Sequence, residues 1–477
     1  MKTQAGIAAA SLSVLRAAQE EPAQVALRVD GRSYSFAELA PLVAQKCAQL
    51  QGLLGQQPAE AWLRVALLGT PRLETVLTLY ALFELGATAV LLHPRLTVAE
   101  HARLCADAQP TLCLDGLPAE SSVISRGARQ PTEPPLAMLF TSGTSGRPKG
   151  ALLSRRAFIA AAAASAQNLG WQPDDRWLLC MPLAHVGGLS ILVRCLVARR
   201  TMVLPPERPS SSFDAATIAQ LVERERVTLL SVVPTMLSRL LALQPLWQPP
   251  PSLRAVLLGG AAASPALLSE AAQRRIPALT TYGLTEACSQ VTTQRYGSVP
   301  DAAQGAGGPI AGLELRIVDE QIQVRGPTLF DGYFPLDAHP PALLSDGFFP
   351  TGDLGRIDEE GRLHVLARRT DLIVSGGENI YPTEVEQALE QVPGIAAACV
   401  FGLPDAQWGQ SVVAALVATA EPLSLHTVRQ ALASRLAGYK HPRRLVWLPA
   451  LPQNATGKLD RGAAAAQALR VIGADER

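Results

Sequence analysis

The residues best able to do chemistry stand in one run: Thr141, Ser142, Gly143, Thr144, Ser145, Gly146, Arg147, Pro148, Lys149 and Gly150. Small hydroxyl side chains and glycines leave successive backbone N–H groups free to wrap an anion, and the Lys149 ammonium offsets phosphate charge. The run follows an apolar segment, Leu136 to Phe140, and leads towards a helical pattern from Ser154 to Leu169. Composition and context together predict a phosphate loop. It differs from the Walker type, because Pro148-Lys149-Gly150 stands where Gly-Lys-Ser/Thr would be needed. The plain alternative is a solvated Gly/Ser turn, which requires neither a strand before it nor a lysine at its end.

Lysine is scarce here. Of 42 basic residues only Lys2, Lys46, Lys149, Lys440 and Lys458 are lysines, so arginine carries positive charge almost everywhere. Where lysine is kept, a compact ammonium on a flexible stem suits a role that a planar guanidinium does not. Lys458 lies in a Thr-Gly-Lys loop near the C-terminus, where an ordinary lysine would simply be solvated.

The elements that position these residues alternate between strand-like and helical runs: Val65 to Gly69 then Leu73 to Leu85, Leu136 to Phe140 then Ser154 to Leu169, and Ala255 to Leu258 then Ser264 to Arg274. Such alternation predicts βαβ units around parallel sheet. Ser264-Pro265 reads as a helix start, with a capping hydroxyl before a proline in the first turn. Beyond about residue 312 the pattern changes to short strands with tight turns, over 313–318, 321–325 and 355–364. The expected fold is therefore α/β: a large N-terminal domain, 1–367, of βαβ subdomains with a small β-rich subdomain from about 312, then a hinge at 368–371. A small, mobile α+β C-terminal domain, 372–477, follows.

The chain has 477 residues with 42 basic and 41 acidic side chains, a net charge of +1. That balance excludes a nucleic-acid partner recognised by bulk charge. No apolar run reaches the roughly 20 residues that span a bilayer, and the N-terminus does not read as a signal peptide. Seven scattered cysteines form no CxxC pair. A cytoplasmic protein with reduced thiols is expected, and a homodimer is its expected assembly.

Further motifs follow the loop in a fixed order: Tyr282-Gly283-Leu284-Thr285-Glu286, Thr351-Gly352-Asp353, Arg368 with Asp371, the stretch from Ser375 to Glu386, and Asn454 to Lys458. With this ordered set the sequence resembles the adenylate-forming superfamily of acyl-CoA ligases, adenylation domains and luciferases. The resemblance implies that a carboxylate and ATP with Mg²⁺ give an acyl-adenylate and pyrophosphate, and that the acyl group then passes to a thiol. It implies phosphate contacts from Thr141 to Gly146 and Lys149, adenine stacking by Tyr282 beside Gly283, a ribose-binding Asp353 with Arg368 nearby, and an α-phosphate contact from Thr285. Glu286 is similar to the superfamily's magnesium-binding glutamate, and Lys458 to its catalytic lysine. His185, in Met181-Pro-Leu-Ala-His-Val-Gly-Gly188, matches an acyl-pocket position; alone it would read as a core histidine. Gly259 and Gly260 would let backbone approach the adenine or acyl group. The hinge departs from the usual pattern, with Ala367 and Thr370 where glycine and Asp or Lys are common.

Within the superfamily the chain is most similar to the o-succinylbenzoate:CoA ligases of menaquinone biosynthesis, in the stretches 232–241, 257–262, 281–290 and 375–381. That branch implies coenzyme A as acceptor and an acid with a second carboxylate, which needs a cation or hydroxyl donors in an apolar pocket. Arg239 is the expected cation, with Ser289 and Gln290 as nearby donors. Gly376, Gly377 and Lys440 are expected along the thiol path. Other aryl- or medium-chain acyl-CoA ligases, enzymes charging a carrier protein, and a non-catalytic nucleotide-binding homologue remain alternatives.

Overall fold

The computed structural model describes residues 12–55, 62–118, 133–141, 148–207, 213–336, 342–368, 371–375, 378–405, 408–454 and 458–475. Two mixed sheets dominate. The first has the spatial order Gly308–Pro309, Ser289–Thr293, Ala278–Leu284, Ala255–Leu258, Leu229–Val232, Arg176–Leu178, Thr201–Val203, Val25–Val29 and Arg32–Ser35. The six strands from Ala278–Leu284 to Val25–Val29 run parallel, and antiparallel strands finish both edges. The second is ordered Gly332–Phe334, Lys149–Leu153, Ala137–Thr141, Thr88–Leu92, Arg64–Leu68 and Leu112–Cys113.

The central strands are largely apolar runs, as parallel strands covered on both faces need no alternation with polar residues. Thr88–Leu92, Leu229–Val232 and Ala255–Leu258 are buried at every position. The helix Leu73–Glu84 buries nine successive residues from Thr75 to Phe83 and supplies much of the main core. Helix starts follow local chemistry. Ser154 Oγ accepts from the Ala157 N–H at 3.3 Å, and Ser264 Oγ from the Leu267 N–H at 3.2 Å with Pro265 in the first turn. Each satisfies a backbone donor that a helix start leaves open.

A four-stranded antiparallel sheet, Glu314–Val318, Gln321–Arg325, Phe349–Ile357 and Leu363–Arg368, forms the β-rich part. The α/β expectation holds, with the β-rich piece where the tight-turn pattern placed it. From Ile373 onward another sheet, built on the long pair Ile395–Asp405 and Gly409–Ala418, packs its own core around Val385, Leu389, Val400 and Leu416. The expected pivot lies between Leu363–Arg368 and Ile373–Ser375, and residues 369 and 370 fall outside the described residues.

Candidate active site

Thr141 ends one strand and Lys149 begins the next, and the two stand opposite each other in antiparallel register. The sheet thus clamps both ends of the expected phosphate loop. Ser142, Gly143, Thr144, Ser145 and Gly146 themselves lie outside the described residues, as do Gly376 and Gly377. The Lys149 Nζ stands 5.3 Å from the centroid of the Tyr333 ring, and the Tyr333 hydroxyl donates to Glu286 Oε1 at 2.8 Å. Glu286 sits in the 3₁₀ turn Thr285–Ala287 at the carboxyl end of the parallel strand Ala278–Leu284, where open α/β sheets place their ligands. Its backbone carbonyl accepts from the Phe330 N–H at 2.9 Å, so the turn is held from both sides.

Tyr282, on the same strand, donates from its hydroxyl to Asp353 Oδ2 at 2.7 Å. Asp353 is nearly buried, and its N–H donates to Thr351 Oγ1 at 3.1 Å. Arg368 is its Cα partner on the neighbouring strand. A strand-bulge separates Tyr282 from Gly283, and a Cβ at Gly283 would lie 1.9 Å from the Ser289 carbonyl oxygen. Only glycine permits that approach.

Lys458 reaches this group from the C-terminal part of the chain. Its Cε and Nζ lie 3.4 and 3.7 Å from the place a Cβ would occupy on Gly260, whose φ is +79°. The Lys458 N–H donates to Asn454 Oδ1 at 3.1 Å and the Asn454 N–H donates to the Lys458 carbonyl at 2.8 Å. A Cβ on Gly259 would meet Thr281 Cγ2 at 2.7 Å, which keeps that segment close to the Ala278–Leu284 strand.

His185 stands just before the helix Val186–Ala198, and the charge of Lys458 acts on it. Burial depresses its pKa to about 3, with smaller contributions from His93, Lys458 and Arg95, so the imidazole is neutral. The approach to His185 joins the two large sheets by backbone. The Leu183 N–H donates to the Gly69 carbonyl at 2.7 Å, and a Cβ on Gly69 would lie 2.3 Å from the Ala184 nitrogen.

One expectation fails. Arg239 is exposed on the helix Pro234–Leu241, with its guanidinium carbon 5.6 Å from the Phe213 ring centroid. Pro234, Leu237, Leu240 and Leu241 fill the buried face of that helix, which turns Arg239 away from the interior. Gln290 is buried, and its Nε2 donates to Thr281 Oγ1 at 3.3 Å while the accepting Oε1 has no partner. Ser289 is half-buried beside it. Lys440 spends its ammonium on both Glu384 oxygens at 2.7 Å. Sequence reasoning missed Tyr333, whose role depends on a side chain far away in sequence, and also missed His93 and Arg461.

An open cavity of about 370 Å³ lies beside Lys149, between Asp107, Phe140, Pro148 and Phe334. It touches neither Lys458 nor His185, so the clustered residues, not that opening, define the site. Among the described residues no group of three or more His, Cys, Asp or Glu could hold a metal ion. A single carboxylate oriented by Tyr333, as at Glu286, suits a hydrated Mg²⁺ whose remaining ligands are water and phosphate. The donor set therefore fits.

Comparison with known proteins agrees with this geometry. A family model described as AMP-binding enzyme matches residues 14–334, and one described as AMP-binding enzyme C-terminal domain matches residues 384–458. The 2-succinylbenzoate–CoA ligase of Enterococcus faecalis is 34% identical over 472 residues, spanning 92% of this chain and 95% of its own. The o-succinylbenzoate CoA synthetase of Bacillus subtilis in complex with its acyl-adenylate intermediate is similar in structure, with TM-score 0.82, 33% identity, and coverage of 94% of this chain and 96% of that one. The same enzyme with ATP and magnesium ion gives TM-score 0.81 at 32% identity, covering 95% and 98%. With both models matched in order and relatives of this identity spanning nearly its whole length, the chain belongs to the AMP-binding enzyme family.

Proposed function

We propose that the protein is an ATP-dependent acyl-CoA ligase that converts 2-succinylbenzoate to its CoA thioester. The observation that carries this reading is the meeting of Lys458 with Gly260 in the crevice that also holds Glu286, Tyr282 and Asp353. Relatives and structural neighbours named for this acid and this reaction support the choice of substrate.

In the first half-reaction a carboxylate oxygen of the acid attacks the α-phosphorus of ATP. The Pα–O bond to the β-phosphate breaks and pyrophosphate leaves with the bonding electrons. In the second, the CoA thiolate sulfur attacks the acyl carbon and AMP leaves. Tyr282 and Asp353 hold the adenosine, Asp353 accepting from the ribose hydroxyls. Lys149 and the loop backbone take the outer phosphates, and Thr285 meets the α-phosphate. The Lys458 ammonium bridges the attacking carboxylate and the α-phosphate, where negative charge gathers in the transition state. Glu286 would hold Mg²⁺, which would neutralise phosphate charge when bound. His185 borders the acyl group, and removal of Lys458 by rotation about 368–371 opens the way for the thiol. Gly376, Gly377 and Lys440 lie along that path in this reading, with Lys440 leaving Glu384 to do so. No helix among the described residues is long and apolar enough to cross a membrane, and a cytoplasmic homodimer completes the proposal.

The test is pyrophosphate release with ATP, Mg²⁺ and a panel of carboxylic acids, each with and without CoA. Release confined to 2-succinylbenzoate, with thioester formed when CoA is present, is the expected outcome. Release with a benzoate or fatty acid alone would overturn the substrate and keep the chemistry.

A further inference from the structure

His93 directly follows the parallel strand Thr88–Leu92, at the carboxyl end where this sheet opens towards the site. Only 7% of its surface is exposed, and its ring centroid lies 5.0 Å from that of His185 at an interplanar angle of 47°. The Arg95 backbone N–H donates to His93 Nδ1 at 3.1 Å, so Nδ1 is the accepting nitrogen. A neutral imidazole that accepts at Nδ1 carries its proton on Nε2. Burial keeps the ring neutral, with a pKa depressed to about 4 and the charges of Arg95 and His101 acting in the same direction. His101 Nε2 contacts the His93 carbonyl oxygen at 3.0 Å and fixes the main chain there.

The His93 Nε2–H is therefore a buried donor whose orientation is set from behind, and it has no partner. His185 Nε2 beside it is also buried without a partner. Buried donors in folded proteins are nearly always satisfied, so a wall presenting such a donor beside His185, on which the charge of Lys458 acts, is built for an acceptor that arrives with the ligand. The reacting carboxylate belongs to Lys458. The acceptor is then an oxygen elsewhere on the acid.

We propose that His93 is a specificity-determining residue of the acyl pocket, its Nε2–H donating to a carbonyl or carboxylate oxygen that the acid carries away from its reacting carboxylate. The acids favoured are keto acids and dicarboxylic acids, and hydrocarbon acids of the same size leave the donor unpaired. This rests on the reading of the site as one that adenylates a carboxylic acid, and 2-succinylbenzoate carries both kinds of oxygen.

The experiment compares the full-length wild type with His93→Phe, which keeps a ring and loses the donor, and His93→Gln, which restores an N–H near the Nε2 position. Pyrophosphate release is measured with 2-succinylbenzoate and with 4-phenylbutanoate, which lacks both extra oxygens, at varied acid and varied ATP. His93→Phe should lose about 10- to 100-fold in kcat/KM for 2-succinylbenzoate, as removal of a hydrogen bond to a charged or strongly polar group implies. The loss for 4-phenylbutanoate should be under about 2-fold, with the KM for ATP unchanged and His93→Gln recovering most of the activity. An equal loss with both acids, or a raised KM for ATP, would show a merely structural role and overturn the proposal. If His93→Phe does not fold, His93→Gln against His93→Asn, whose shorter amide cannot reach, makes the same comparison. Wild-type activity with a different oxygen-bearing acid would overturn the substrate reading alone, and His93 is then judged with that acid and its hydrocarbon counterpart.

Discussion

Arg461, three residues beyond Lys458, donates from Nη1 to Asp371 Oδ2 at 3.0 Å, at the C-terminal limit of the expected pivot. The same guanidinium gives Nη2 to Glu386 Oε1 at 2.5 Å and Nε to the Val400 carbonyl at 2.8 Å. The chain just beyond Lys458 is thus tied to Asp371, at the edge of the expected pivot.

Removing that guanidinium takes away the cation that Asp371 and Glu386 share. Burial already pushes the Glu386 carboxyl upward. Arg461→Met should therefore destabilise the fold by about 3 kcal/mol, as loss of one partner from a buried ion pair does. Urea unfolding of the variant beside wild type reads this directly, and coincident midpoints would refute it.

Lys458→Ala removes the positive charge proposed to meet the transition state while leaving the Tyr282 and Asp353 pair in place. Pyrophosphate release should fall about 10²- to 10³-fold, the size associated with deleting one electrostatic stabiliser. Calorimetric titration with ATP should give a dissociation constant within about 2-fold of wild type, because uniform binding is untouched. A large loss of ATP affinity would place the lysine in ground-state binding instead.

Glu286→Gln keeps shape and loses the carboxylate proposed to hold Mg²⁺. The Mg²⁺ concentration for half-maximal pyrophosphate release should rise about 10-fold or more, and Tyr333→Phe, which frees Glu286 Oε1, should shift it in the same direction by less. A magnesium titration of both variants checks the order. An unshifted curve for Glu286→Gln would remove the carboxylate from the metal.

Glu390 provides the pH test. Burial pushes its carboxyl up to about 7, opposed by the Ala398 N–H at 3.4 Å and aided by the charge of Glu386 one turn earlier. The folded state holds a proton that the unfolded chain, titrating near 4.5, releases. The stabilisation is full below the unfolded value and is lost as pH rises through about 7. Relative to wild type, Glu390→Gln should gain up to about 3 kcal/mol between pH 4.5 and 8. Urea unfolding at both ends of the window measures it, and a constant difference would show that Glu390 does not titrate there.

What could be read in the sequence was local. The helix start at Ser154, the cap at Ser264, the buried run Ala255–Leu258 and the strand leading into Thr141 each follow from neighbours a few residues away. Arg239 was misjudged although the information was present: apolar residues at 234, 237, 240 and 241 define a helical face that leaves position 239 outside. His93, Tyr333 and Arg461 were not legible. Each takes its meaning from a side chain distant in sequence, respectively His185, Glu286 and Asp371, and no spacing rule links such pairs. Sheet order was hidden for the same reason.

The contact between Gly69 and Ala184 leaves no space between the main chains on the approach to His185. Neither sheet can back away to admit a wider guest. In the proposed acyl pocket, change of diet proceeds by swapping the studs proposed at positions 93, 185 and 290, while the casting stays the same. An engineer seeking a new acid should randomise those three side chains and leave Gly69 alone, since any larger residue there would part the seam before it altered the shape of the cup.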